Sequence, residues 1–455
     1  DLHSFPTRRS SDLHIVTSPK STRVRTIRTL SHETGWVLKM TTMVLENARV
    51  FDGFNAECSE GMSVAIENGR IREVSDRPIA LCAARRIDVA GKTLMPGMID
   101  LHMHAYMAGT RVEQIDSIGL ASRTAHAVRV LGHALDCGFT TIRDIGGGDW
   151  GLWQALEGGL IRGPRFFYAG RPLSMTGGHA DVRPPSVDGH VHGPGRCSCS
   201  QFSTLTAVVD GVDQCVWAAR EELRRGAHTV KIMGSGGALS LTGPFEMSQF
   251  RDDEIRAIVG ECVARGSYVS AHCHPTKAIR RCVDLGVRCI EHGSLIDEDT
   301  AAFVAEKGAY IVPTLAIGFA LRDLGRELGL SAEVLAKGEP LWKEGLYALE
   351  RMRKARIKLG FGTDLIGHMY TRQCTEFSLR SEVFSPLEIL RQATSMGAEI
   401  LQQQGQLGCI AVGAHADLIV VDGDPLADIG LMAQDGRNLA LILRAGELIK
   451  NQLDC

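Results

Sequence analysis

Eight short apolar segments recur along the middle of the chain, each separated from the next by a stretch with helical spacing of apolar residues. The segments are 98–104, 139–144, 165–170, 229–233, 268–272, 287–292, 310–314 and 359–363. Such alternation favours a parallel sheet, because each helix carries the chain back before the next strand begins. Eight units predict an α/β fold, a (β/α)8 TIM-like barrel over residues 95–404, with its chemistry at the carboxyl ends of the strands.

Both ends of the chain have a different pattern. Apolar segments at 43–50, 62–66 and 71–74 include the turn Asn68-Gly69, a strong hairpin signal. Further apolar segments occur at 416–421 and 439–444, followed by the turn Ala445-Gly446. Residues 40–94 and 405–455 are therefore predicted to form one small, discontinuous β-sandwich domain.

Residues 1–39 show neither strand nor helix periodicity and are predicted to be a disordered or artefactual leader. The first residues resemble a translated sequencing adapter. The Arg- and Ser-rich composition leaves an organelle transit peptide as the alternative.

Composition excludes several function classes. The 455 residues carry a net charge of −3, without the basic excess of a nucleic-acid-binding protein. An apolar run long enough to span a membrane is missing from the sequence, so no membrane partner is expected.

Thirteen cysteines, an odd number in a long chain, favour a reducing cytoplasm. Cys197 and Cys199 form a loop pair that is either a metal or redox pair or two ordinary thiols.

Potential metal ligands stand at the ends of five predicted strands. Side chains two positions apart on a strand point to the same face, so His102 and His104 can bind one cation together. Later strands carry Lys231, His272, His292 and Asp364. Because strand ends meet at one rim of a barrel, these residues predict a metal centre there. Histidine and carboxylate ligands suit zinc, with manganese or cobalt as alternatives.

Lys231 lies in an apolar strand, where an unpaired ammonium is costly. One interpretation is a buried ion pair with a carboxylate such as that of Asp144. The other is that its amine has reacted with carbon dioxide to give N6-carboxylysine, whose two oxygens can bridge two divalent ions. The charges of this carbamate, Asp364 and a hydroxide would leave one net positive charge, which suits an anionic transition state.

Several motifs resemble the amidohydrolase superfamily, in its binuclear subtype with a carboxylated lysine. They are the run from Met95 to His104, Glu291-His292-Gly293, Gly362-Thr363-Asp364 and the run from Gly413 to Leu418. The resemblance extends from about Thr42 to the C-terminus and implies two divalent metal ions, taken as zinc, with carboxylated Lys231 as their bridge. The implied ligands are His102, His104 and Asp364 for one ion, and His272 and His292 for the other.

More narrowly, the chain is similar to bacterial Xaa-Pro dipeptidases (prolidases), grouped with imidazolonepropionase-like amidohydrolases. The matching segments are 176–181, 210–213, 230–237 and 249–250. Imidazolonepropionases use a single metal without the bridging lysine, so Lys231 argues against their chemistry.

The resemblance implies hydrolysis of dipeptides with a free C-terminal carboxylate, above all L-Xaa-L-Pro, by a metal-bridging hydroxide. The alternative within enzymes is an amidase for N-acyl amino acids or xenobiotic amides, including mycotoxin-type N-acyl phenylalanines. A non-catalytic relative without metals is disfavoured by the complete ligand set. The expected partners are a small-molecule or dipeptide substrate and further copies of the chain in a homo-oligomer.

Asp364 and His179 are the predicted catalytic residues. Asp364 would accept the proton of the nucleophile and deliver it to the departing amine. His179 would hydrogen-bond the substrate carbonyl or its C-terminal carboxylate, which Arg183 is also suited to pair with. Tyr168 and His274 complete the predicted substrate-binding residues.

Overall fold

The computed structural model describes residues 42–183, 203, 205–240 and 243–453. The predicted leader 1–39 and the pair Cys197 and Cys199 lie outside the described residues. Met40–Cys455 forms one compact unit.

Short strands and helices alternate along most of the described chain. The strands are β1 Thr42–Val50, β2 Ser59–Glu67, β3 Arg70–Ser75, β4 Arg85–Asp88, β5 Thr93–Pro96, β6 Met98–Met103, β7 Phe139–Asp144, β8 Arg165–Tyr168, β9 Leu173–Ser174, β10 Ala207–Val208, β11 Val230–Met233, β12 Val269–Pro275, β13 Cys289–Leu295, β14 Tyr310–Val312, β15 Lys358–Leu359, β16 Leu418–Val421, β17 Leu439–Arg444 and β18 Glu447–Asn451. The helices are α1 Leu120–Asp136, α2 Trp150–Glu157, α3 Val212–Arg224, α4 Asp252–Val263, α5 Thr276–Asp284, α6 Glu298–Glu306, α7 Leu315–Leu324, α8 Ala332–Lys354, α9 Thr375–Ser381, α10 Pro386–Gln392 and α11 Ser395–Ile400. Three 3-10 helices span Val112–Ser117, Gly367–Arg372 and Ile429–Ala433.

Two parallel sheets contain the eight predicted segments. One has the order β6-β7-β8, and the other has the order β10-β9-β11-β12-β13-β14-β15. β7 has the predicted bounds, whereas the last segment is a strand only over Lys358–Leu359. Backbone bonds continue beyond that strand, since Leu101 N donates to Phe361 O (2.8 Å) and Asp364 N donates to His102 O (2.8 Å). The alternation of strand and helix is confirmed.

The helices cover the outside of these sheets with one apolar face each. In α5, the buried residues are Ala278, Ile279, Cys282 and Val283. This spacing places them on one stripe of the helix, which packs on the sheet while the opposite face meets solvent. This packing fixes the positions of the carboxyl ends of β6 and β11–β13, so side chains at those ends are held in a defined geometry.

Strands from both chain ends pair in one further sheet. Its order is β18-β17-β16-β5-β1-β2-β3, with β4 beside β1. The hairpin at Asn68-Gly69 is present between β2 and β3. The hydrogen bonds join these strands into a single sheet, because β5 links the N-terminal strands directly to β16. The sequence predicted a sandwich for this domain.

Asp417, just before β16, ties this sheet to the parallel strands. Its Oδ2 accepts from Arg165 Nε (3.0 Å), and its Oδ1 accepts from the backbone N–H of Ala445 (2.6 Å). Asp417 is only 5% exposed, so the carboxylate and guanidinium depend on each other for solvation.

None of the described helices combines the length and the apolar composition that a bilayer span needs.

Replacing Asp417 by Asn should lower the free energy of unfolding by about 2 kcal/mol, because a largely buried guanidinium loses its counter-charge. Urea unfolding followed by circular dichroism measures the loss. The matched control is Glu261→Gln, which breaks the solvent-exposed pair with Arg220 and should leave the urea midpoint almost unchanged. Equal effects of the two substitutions would contradict the assigned role of Asp417.

Candidate metal centre and its pocket

The histidines at the end of β6 converge on one carboxylate. His102 Nε2 lies 3.2 Å and His104 Nε2 lies 3.0 Å from Asp364 Oδ1. Their side chains share a face of the strand, as their spacing predicts. These three residues have ligand atoms within 4.8 Å of one another, close enough to hold one cation.

A second group of ligand atoms adjoins the first. His272, His274 and His292 also have ring nitrogens within 4.8 Å of one another. The ring centroids of His102 and His292 are 4.9 Å apart, so the two groups are neighbours. His272 and His274 both reach His292, with ring centroids 4.6 and 4.7 Å from it. The choice between them as ligand is therefore not decided by distance.

Backbone conformation at two strand ends directs ligands inward. His292 has φ +75° and Asp364 has φ +58°, both in the left-handed region. Strict strand alternation would send Glu291 and His292 to opposite faces. The left-handed turn at His292 lets both side chains contribute to the same centre.

Partners outside the cluster fix the orientation of the rings. His102 Nδ1 bonds Glu291 Oε2 (2.8 Å), His104 Nδ1 bonds Gly146 O (3.3 Å), and His292 Nδ1 bonds Thr314 Oγ1 (2.7 Å). Each of these rings therefore keeps Nε2 for a ligand. Metal-binding histidines are typically held this way, so the donor set fits divalent metal ions.

Burial and neighbouring charges keep His272, His292 and Asp364 in the protonation states that bind metal. Burial lowers the pKa of His272 and of His292 well below the usual value, so both imidazoles are neutral near pH 7. Burial acts to raise the pKa of Asp364, but neighbouring His102 and His104 outweigh it and hold that pKa well below the usual value. A neutral imidazole and an ionised carboxylate are the forms that bind metal.

Lys231 is 2% exposed and lines the same pocket. Burial lowers its pKa, although Glu291 and Asp364 oppose this effect. Asp144, its alternative ion-pair partner, instead accepts backbone N–H groups from Ala105 (2.7 Å), Gly146 (3.0 Å) and Gly148 (2.9 Å). The structure therefore gives the Asp144 interpretation no support.

The ligands line a cavity of about 810 Å³ that opens to solvent. Its remaining wall is largely apolar, formed by Met107, Val112, Val182, Leu205, Met233, Leu239 and Ile366. Gly237 permits a close approach at the wall, because a Cβ there would lie 2.7 Å from His179 Cε1 and 2.9 Å from His272 Nε2. The cavity therefore offers polar ligands at the base and an apolar surface for the rest of a substrate.

His179 lies where the sequence placed it, on the loop beside the metal ligands. Its ring stacks on His272 with centroids 4.2 Å apart, and its Nδ1 bonds Ser240 Oγ (2.6 Å). Ser240 Oγ also accepts from Gly237 N (3.0 Å), so its own hydrogen is available for His179 Nδ1. A Ser240 hydroxyl that donates to Nδ1 places the proton of the imidazole on Nε2, and burial lowers the pKa of His179 to about 4.

Two other predicted substrate-binding residues are engaged elsewhere. The Tyr168 hydroxyl donates to Arg225 O (2.8 Å), and its ring packs in the core, so the structure does not bring it into the cavity. Tyr168 faces the helices because it alternates with the inward residues of β8. Arg183 donates two hydrogen bonds of 2.6 Å to Asp181, from Nε and from Nη2 of its guanidinium.

Sequence reasoning missed the buried pair that supports His102. Glu291 accepts from Arg143 Nη2 (2.7 Å) and from Ser270 Oγ. Neither Glu291 nor Arg143 is exposed to solvent. The sequence did contain a signal for this pair. Glu291 is adjacent to the candidate ligand His292, and Arg143 is a charged residue in an apolar strand.

Residues 93–448 match the family model described as "Amidohydrolase family". Ochratoxinase of Aspergillus niger is 30% identical over 376 residues, which cover 78% of this chain and 75% of that protein. The chain belongs to the amidohydrolase family. This confirms the resemblance drawn from the motifs.

Two solved structures have the same fold as this chain. A prolidase in complex with N-methylphosphonate-L-proline is 45% identical, with a TM-score of 0.86 over 90% of this chain and 100% of that one. A Xaa-Pro dipeptidase with bound methionine in its active site is 25% identical, with a TM-score of 0.78 over 90% of this chain and 100% of that one.

Thr314→Val should weaken zinc binding to this amidohydrolase by about 10-fold, because His292 loses the hydroxyl that holds its ring. Competition with a chromophoric chelator measures the affinity. Thr314→Ser keeps the hydroxyl and is the matched control, expected to bind zinc like the parent chain. Unchanged affinity in Thr314→Val would contradict the role given to this hydrogen bond.

The stability of the metal-free amidohydrolase should fall as the pH is lowered from 6.5 to about 4. In that window the unfolded chain binds more protons than the folded one, because burial lowers the pKa of His179 from 6.5 to about 4. His179→Gln removes this contribution and should make the pH dependence shallower. Urea midpoints across the window test this, and identical slopes for the two proteins would contradict it.

Proposed function

We propose that this chain is a hydrolase of amide bonds that works with two divalent metal ions, zinc in the first instance. The observation that carries the proposal is the meeting of two ligand groups in one cavity. One group combines the imidazoles of His102 and His104 with the carboxylate of Asp364, and the other consists of the imidazoles of His272, His274 and His292. The similarity to a prolidase solved with a phosphonate analogue of a proline dipeptide supports the same conclusion.

In this proposal His102, His104 and Asp364 hold one ion, and His272 and His292 hold the other. His272 is chosen over His274 because it lines the main cavity with Lys231, whereas His274 lines an adjoining cavity of about 470 Å³. His274 then contacts the substrate. The two ligand groups need an anionic bridge, and Lys231 is the residue proposed to supply it.

Lys231 would bridge as N6-carboxylysine. Its neutral amine attacks carbon dioxide, forms the N–C bond and releases one proton, which leaves a carbamate with two oxygens. Burial favours the neutral amine, which is the reactive form.

Divalent cations held there supply Lewis acidity and lower the pKa of bound water. Asp364 is placed to accept the proton of the attacking water and to deliver it to the departing nitrogen. This delivery matters because an amide anion is a very poor leaving group. His179 lines the same cavity and would donate a hydrogen bond from Nε2 to the substrate carbonyl or to a C-terminal carboxylate.

The proposed substrate is a dipeptide with a free C-terminal carboxylate, L-Xaa-L-Pro first. The second candidate is an N-acyl amino acid such as an N-acyl phenylalanine. The largely apolar wall of the cavity favours this second candidate, and so does the 30% sequence identity to ochratoxinase. Both substrates share an amide next to a carboxylate, so one site chemistry serves either.

We further infer that the two parallel sheets close into one (β/α)8 barrel. Backbone bonds from β6 to residues 361–364 support closure on one side, and the bond from His228 N to Tyr168 O (2.8 Å) supports it on the other. A cytoplasmic location is supported by the free thiols of all cysteines within the described residues. The homo-oligomer stays a prediction.

The test is amine release by the zinc-loaded protein from a panel of substrates. The panel contains L-Xaa-L-Pro dipeptides with free and amidated C-termini, and N-acyl phenylalanines. We expect cleavage only where the carboxylate is free. Cleavage of N-acyl phenylalanines alone would select the second candidate. No cleavage of any amide, with two metals per chain verified, would overturn the proposal.

Asp364→Asn should lower kcat by at least about 100-fold, because proton transfer to the leaving group is lost. The metal content of the variant, measured by mass spectrometry of the elements, separates this effect from loss of a ligand. Glu376→Gln alters a buried carboxylate that pairs with Arg380 and is absent from the cavity lining. It is the control and should retain turnover.

A further inference from the structure

A second cluster of metal-ligand side chains lies where three separate parts of the chain meet. Cys137 follows the last turn of α1, Cys374 directly precedes α9, and Asp435 lies shortly after the 3-10 helix Ile429–Ala433. One ligand atom from each lies within 4.8 Å of the other two. None of the three lines the cavity of the proposed hydrolytic site.

His133 adds a fourth ligand to this cluster and a third ligand type, an imidazole. It stands one turn before Cys137 on α1, so the two side chains share a face of the helix. His133 Nε2 is 3.5 Å from Cys137 Sγ. Two thiols, an imidazole and a carboxylate are together a ligand set suited to tetrahedral zinc.

The backbone is built to bring Asp435 against α1. Gly436 has φ +72°, and a Cβ there would lie 2.0 Å from Asp136 O, so only glycine allows this approach. Lys450 Nζ donates to Gly436 O (3.0 Å) and anchors the same turn from β18. The position of Asp435 therefore results from a close backbone contact and a second anchor.

Burial distinguishes this cluster from a chance surface grouping. Cys137 and Cys374 are 1% and 0% exposed, whereas Asp435 is exposed. The two thiols are thus shielded from solvent, and the carboxylate side leaves a route by which an ion can enter. Both cysteines are free thiols in the structure.

We propose that Cys137, Cys374, His133 and Asp435 bind one divalent cation of the zinc class at a structural site separate from the hydrolytic centre. Four protein ligands fill a tetrahedral shell and leave no position for a substrate, which is the pattern of structural sites. On binding, each thiol releases its proton to solvent and ligates as thiolate. The proposal does not depend on the function of the other centre.

The consequence of such a site is a link between α1, α9 and the segment between β16 and β17. The ion would join the first helix of the barrel region to elements near the C-terminus. Because an unfolded chain does not hold these ligands together, binding energy contributes to folding stability.

The test uses cobalt as the probe. Cobalt(II) bound by thiolate gives a ligand-to-metal charge-transfer band in the near ultraviolet, and the hydrolytic centre offers only nitrogen and oxygen ligands. We expect the band in the full chain loaded with cobalt. Cys137→Ser and Cys374→Ser should each lower its intensity at least twofold, and each should bind one zinc fewer per chain than the parent.

Two further variants separate ligand loss from misfolding. Asp435→Asn alters an exposed residue, should fold normally and should weaken cobalt binding about 10-fold. Cys282→Ala removes a thiol from the other close pair, Cys273 and Cys282 (Sγ–Sγ 3.7 Å), and should leave the band intact.

Three results would overturn the proposal. One is the absence of a thiolate band in the cobalt-loaded parent chain. Another is a band that survives Cys374→Ser and disappears in Cys282→Ala. The third is a disulfide between Cys137 and Cys374, identified by peptide mass spectrometry of protein purified with no reductant.

Discussion

The candidate metal centre depends on the contacts that the buried carboxylate of Glu291 makes with two neighbouring side chains. It faces the guanidinium of Arg143 on one side and the imidazole of His102 on the other, with no solvent to screen either contact. Taking these charges out of water is expensive, and removing one of them would leave the others uncompensated. The arrangement therefore ties the orientation of a ligand to the integrity of three strands, β6, β7 and β13.

The sequence predicted much of the fold and the proximity of the candidate ligands, because both follow from local rules. Strand and helix alternation predicted the parallel strands, and β7 has its predicted bounds. The shared face of His102 and His104 follows from strand geometry alone. The prediction that His292 and Asp364 lie in the same region required only that strand ends meet at one rim.

What could not be predicted depends on long-range packing and on backbone conformation. The left-handed φ of His292 has no signal in the adjacent residues, yet it decides where that ring points. The pairing of Arg183 with Asp181 is a choice among many possible partners of a flexible side chain. Tyr168 is a predicted substrate-binding residue whose hydroxyl instead donates to Arg225 O, since the face that each residue of β8 presents depends on register with β7, which sequence spacing does not reveal.

The pairing of β5 with β16 has a consequence for how the chain acquires its structure. β5 leads directly into β6 and its two histidines, but its neighbour in the sheet is encoded close to the other end of the chain. During synthesis β5 emerges long before β16, so its edge on that side stays open until the later strand has been made. Contacts between such distant segments slow folding. The strand that leads into His102 and His104 therefore gains its second neighbour only after β16 has left the ribosome.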